Sequence, residues 1–141
     1  MNNSFYPNME VEVTGYVARV PIGGLQETCN CLRKDLRDLQ IEIVASPTEA
    51  EDRRKHVVLE ISPRWEEKFG FDDSNYDVML DNLKSQIEGK WVTFAGWMFY
   101  DSAHVDQSES TFAGNPKNWR ATPWEIHPVT FYKVLPGPPA P

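Results

Sequence analysis

Thirteen residues near the C-terminus, Asn118 to Thr130 (NWRATPWEIHPVT), hold two tryptophans, an arginine, a glutamate, a histidine and two prolines. Glu125 and His127 lie two apart, so on a strand they point to one face. Such a pair can act as base and orienter, or as metal ligands. It can equally form a polar strip toward solvent, with Trp124 and Ile126 turned inward. Trp119 and Arg120 are the stronger binding signal, because an indole and a guanidinium stack on rings and meet charged groups. With Tyr100, Trp97 and Trp124 near in sequence, they could line an aromatic groove. The bland alternative is that the aromatics close a core and that Arg120 pairs with Glu125 or Asp101. Upstream, DSAHVD places Asp101, His104 and Asp106 together. With His127 these form a candidate His/carboxylate set for zinc, iron or manganese. No HExxH, HxH or paired CxxC motif supports it, so neither a resident metal nor a cofactor is expected. Cys29 and Cys31, in CNC, could supply half a zinc site or a thiol against His104 or His127, or simply pack as small apolar residues. PIGG, from Pro21, is a turn signal without the helix and lysine of a phosphate-binding loop.

Five extended segments must position these groups. Met9–Val20 alternates, with Val11, Val13 and Val17 on one face and Gly15 where a bulge or bend is expected. Leu39–Ser46 alternates through Leu39, Ile41 and Ile43, and His56–Ser62 through Val57, Leu59 and Ile61. Lys90–Asp101 is aromatic and β-branched, interrupted by Gly96. Trp124–Leu135 contains Pro128, which predicts an edge position or a bulge. One helix is predicted over about 75–88. Ser74 and Asp77 resemble a capping box, Tyr76, Met79, Leu80, Leu83 and Ile87 form one stripe, and Gly89 is a natural stop. The preceding PRWEEKFGFDD reads as a short helical turn or a loop.

The order strand, strand, strand, helix, strand, strand predicts an all-β fold with one helix. It is the order of an OB-like five-stranded Greek-key barrel, with the helix between strands 3 and 4. An open antiparallel sheet with a helix on one face is the rival. A single domain over 1–135 is expected, with a Pro-rich, flexible tail over 136–141. In such a barrel the ligand surface uses the first and fourth inter-strand loops. Here these are long, residues 21–38 and 102–123, and they contain most of the candidate residues.

Bulk properties narrow the partners. The 141 residues suit one core. A net charge of −7 disfavours nucleic acid, because counterion release needs basic side chains. The basic clusters Arg33, Lys34, Arg37 and Arg53, Arg54, Lys55 are interleaved with or preceded by acids and read as solvated loops. No apolar run is long enough to span a bilayer, so no membrane partner is expected. No signal peptide is recognisable at the start, which fits a cytoplasmic protein or a form from which an export leader was removed.

The segments GYVARVPIGGLQETCNC, VVLEISPRW, GWMFYDSAH and NWRATPWEIHPVT resemble a group of uncharacterised bacterial hypothetical proteins with an OB-like pattern. That group shares a GYV…GG-x-E-x-CNC start, an EI-[ST]-PR strand end and a closing NWRA-T-x-WEIHPVT segment. The resemblance implies no settled activity. Histidines that often follow CNC, and often lie in the second strand after an Asp, are replaced here by Leu32 and Gln40. The reading is therefore a binding module for a small molecule, saccharide or peptide at the barrel mouth. The expected site residues are Tyr100, Trp119, Arg120, Glu125 and His127. The alternative is a metal-assisted hydrolase or nuclease using His104, Asp106, Glu125 and His127.

Overall fold

A computed structural model describes residues 5–23, 37–71 and 75–141, without the side chains of residues 5–8. The alternating segments become strands β1 (Phe5–Arg19), β2 (Leu39–Val44), β3 (Val57–Ile61), β4 (Trp91–Tyr100) and β5 (Trp124–Val134). They close in the order β1-β2-β3-β5-β4. All neighbours are antiparallel except β3 and β5, whose single parallel register point is Leu59 opposite Ile126. This is the OB-like barrel, not an open sheet.

β1 serves both halves of the closure, pairing with β4 through Tyr16 and with β2 from Tyr16 onward. The expected irregularity at Gly15 is a close approach, not a bulge. A Cβ there would lie 2.9 Å from Ile43 Cδ1 and 3.2 Å from the Val44 oxygen. The register shift falls two residues later, between Val17 and Arg19. In β5 two register shifts flank Val129, the first spanning Pro128, whose peptide bond to His127 is cis. Gly96 faces that irregularity, with the site of a missing Cβ against the Pro128 carbonyl and 2.6 Å from Ile126 Cγ2.

Two α-helices separate β3 from β4. The short helix α1 is Pro63–Lys68 and the longer α2 is Tyr76–Ile87. Asn75, not the expected Ser74, caps α2. Its Oδ1 accepts from the backbone nitrogens of Asp77 and Val78; Ser74 lies outside the described residues. The stripe Met79, Leu80, Leu83 and Ile87 enters the same buried cluster as Val17, Leu39, Ile61, Val92 and Phe94. Each such side chain stabilises by roughly 1.5–3 kcal/mol. Both ends of α2 are pinned beside the β1–β2 connection. Tyr76 Oη accepts from Gly23 N at 2.8 Å and donates to the Asp38 carbonyl at 3.2 Å. Glu88 Oε2 accepts from Val20 N.

The long 102–123 connection is folded upon itself. A 3-10 helix covers Ser102–Gln107, with Asp101 capping it through Ala103 N. Ser108 and Arg120 form a bridge, and the Asn118 amide ties Glu109 to the Phe112 carbonyl. Polar Asx side chains satisfy its backbone in place of sheet partners. Residues 136–141 have no regular structure and are mostly exposed. Among the described residues no helix is long and apolar enough to cross a membrane.

Candidate functional site

Strand alternation builds the site. Leu39, Ile41 and Ile43 on β2, Leu59 and Ile61 on β3, and Ile126 on β5 enter the core. The intervening residues therefore share the opposite face of β2, β3 and β5: Gln40, Glu42, Glu60, Glu125 and His127. That is the barrel face on which OB folds take ligands. Here the 102–123 connection lies against it. Ala121 N donates to the His56 carbonyl at 2.7 Å, which seats the 102–123 connection against the start of β3.

His127 is the centre. Its Nδ1 is 3.1 Å from both Glu60 Oε2 and Glu125 Oε1, and its Nε2 is 3.4 Å from Asp38 Oδ2. Asp38, Glu60 and Glu125 are buried, whereas His127 keeps about a fifth of its surface. Burial alone would push the His127 pKa down. The hydrogen bonds to Asp38 and Glu125, and the charges of Glu60 and Glu125, outweigh it and raise the pKa to about 11.

From His127 an alternating chain of charges runs outward. Arg120 Nη2 donates to Glu125 Oε2 at 2.9 Å, and Nη1 reaches Asp101 Oδ2 at 3.4 Å. Asp101 Oδ2 in turn contacts His104 Nδ1. Burial pushes the Asp101 pKa up, but His104 and Arg120 more than reverse this and leave it lowered. Arg120 is only 1% exposed. It is the internal counter-ion of Glu125 and Asp101, not a group offered to a ligand.

The expected residues therefore separate. Glu125 and His127 share a face, but it is an enclosed one, not the solvent-facing strip. Trp119 is half-buried and already engaged. Its Nε1 donates to Gln107 Oε1 at 2.6 Å, Arg53 and Arg120 lie 5.3 and 5.2 Å from its ring, and the His104 ring meets it edge-on. Among the described residues no open aromatic groove forms around Trp119. Tyr100 packs edge-on against Trp124 at 5.0 Å, as their strand register dictates. His104 sits at the far end of the ion chain from His127. Asp106 is exposed and uses its carbonyl to hold Asn115. The four residues His104, Asp106, Glu125 and His127 do not converge. Cys29, Cys31, Arg33 and Lys34 lie outside the described residues. The second basic cluster is engaged in ion pairs, Arg54 with Asp52, Lys55 with Glu49 and Arg53 with Glu42.

Two members of the site were not selected from sequence, Asp38 and Glu60. With His127 they offer one donor atom each, all within 4.8 Å of one another. A signal for Glu60 was present, because it interrupts the apolar run VVLEIS. Asp38 had only its place immediately before β2. Gln40 pairs directly across from Glu60.

The chemistry available is that of a hard or borderline divalent cation. Two carboxylates and an imidazole suit zinc, manganese or iron. His127 Nε2 faces Asp38 and Nδ1 faces Glu60 and Glu125; both nitrogens carry a proton in the metal-free protein, so a cation would bind here with release of one of them. The neighbourhood is electronegative. Asp38, Glu60 and Glu125 all face His127, and Glu125 and Asp101 both face Arg120. Comparison with protein-family models, with curated proteins and with solved structures returned no match.

Proposed function

We propose that this chain is an OB-like binding module that holds a divalent cation through Asp38, Glu60 and His127. The cation would lie where Asp38, just before β2, meets β3 and β5. Its remaining positions would take oxygen donors of a small molecule, a saccharide or a peptide carboxylate. The observation that carries this reading is the convergence of three donors from three elements on the face an OB barrel uses for ligands. Glu125, held by Arg120, would orient the His127 ring. Nucleic acid remains disfavoured, because net charge is −7 and Arg53, Arg54 and Lys55 are engaged by acids.

The metal-assisted hydrolase or nuclease reading shares Glu125 and His127. It is the weaker one, because His104 and Asp106 do not join them. Metal analysis of protein purified without chelator or affinity nickel, followed by calorimetric titration with Zn²⁺ and Mn²⁺, tests the proposal. One equivalent is expected, lost in Asp38→Asn/Glu60→Gln but retained in His104→Ala. Absence of uptake by the wild type at millimolar metal, or retention in the double variant, would overturn it.

A further inference from the structure

The two ends of the barrel are finished differently. At one end α2 inserts Met79, Leu83 and Ile87 into the core. Near the start of β5 no element plays that part among the described residues. There a cavity of about 250 Å³ is walled by Val11 and Val13 of β1, Val57 of β3, Met98 of β4, and Trp124 and Ile126 of β5. Val11, Val13, Val57 and Met98 pack on the core yet remain partly exposed.

We infer that this cavity is a second binding site, for an uncharged apolar or aromatic molecule about one substituted ring in size. It borders the charged face at Glu125 but contains none of the three proposed cation donors, and the inference does not depend on the cation reading. Three observations support it. The recess is open to solvent on one side and lined mostly by apolar side chains; since an enclosed apolar cavity of about 150 Å³ accepts benzene, about 250 Å³ suits a ring with a short substituent. The wall includes a methionine thioether and an indole, both of which make favourable contacts with aromatic rings. No cationic side chain lines it, so an anionic ligand finds no partner there.

The test uses the whole chain, labelled with ¹³C at the methionine methyls, and titrates ethylbenzene against 3-phenylpropionate. The Met98 methyl resonance is expected to move saturably with ethylbenzene, while that of buried Met79 does not. The carboxylate should bind at least about tenfold more weakly. Val57→Phe fills the cavity and should abolish the shift. Val11→Leu, a smaller filling, should weaken binding at least about threefold if Val57→Phe fails to fold. Asp38→Asn should change nothing. No saturable movement of Met98 up to the solubility limit, equal binding of the carboxylate, or undiminished binding in a folded cavity-filling variant would overturn the inference.

Discussion

At His127 three carboxylates face one imidazole, so the ring holds its proton far above the ordinary range. The sign of the pH effect follows. The folded pKa, about 11, exceeds the unfolded 6.5. The stabilisation is therefore complete below about pH 6.5 and is lost as pH rises through the folded value. In metal-free protein the urea midpoint is expected to fall between pH 7 and 10.5. His127→Gln should flatten that slope, and the imidazole resonances should report a protonated ring at pH 8. Arg120 has the complementary role. It is buried between Glu125 and Asp101, and its removal strands both carboxylates in a region of low dielectric. Arg120→Ala is expected to cost roughly 3–5 kcal/mol in equilibrium denaturation, the cost of breaking a buried pair by deleting one partner. A surface arginine would cost far less, so the magnitude itself tests its placement.

The elements matter because the site is assembled from their registers. β3 and β5 run parallel, with Leu59 opposite Ile126, which brings Glu60 beside Glu125 and His127. The local irregularity of β5 around Pro128 needs Gly96 opposite it. Gly96→Ala would drive a methyl into the Pro128 carbonyl and Ile126, and is expected to lower stability by about 3 kcal/mol in urea denaturation. β2 offers the converse experiment. Gln40 lies directly across from Glu60, within the reach of cross-strand neighbours. Gln40→His would add an imidazole donor and is expected to tighten Zn²⁺ at least about tenfold by calorimetry. Asp38 stands immediately before β2, anchored by the Tyr76 hydroxyl through its carbonyl. Thus a helix outside the site helps to hold one of its donors.

For the whole molecule, a ligand that binds only the folded state raises stability by mass action. At a metal concentration about 100 times Kd the gain is about 2.7 kcal/mol. The expected rise in Tm is about 8 °C, reversed by chelator and absent in Asp38→Asn/Glu60→Gln, as read by circular dichroism. Period-two alternation and one 3.6-period stripe determined the strands, the α2 helix and their order, because burial of one face is a local pattern. From that order the OB-like barrel followed. The Glu125–His127 pair and the Arg120 pairings with Glu125 and Asp101 were also legible as candidates, since a strand puts i and i+2 on one face. Only the tertiary structure decided which polar face is enclosed. β2 and β3 are covered on both sides, so an acid that would sit in solvent on a simple hairpin is buried here. That is why Glu60 passed as an ordinary strand residue, and why Asp38 passed as the end of a loop. Trp119 went the other way: its type suggested a ligand platform, and the fold engaged it with Gln107, Arg53 and Arg120. Residue type and spacing thus determine which groups can share a face. Barrel closure and the seating of the 102–123 connection decide which of those faces loses its water, and with it which charges must find each other or a cation.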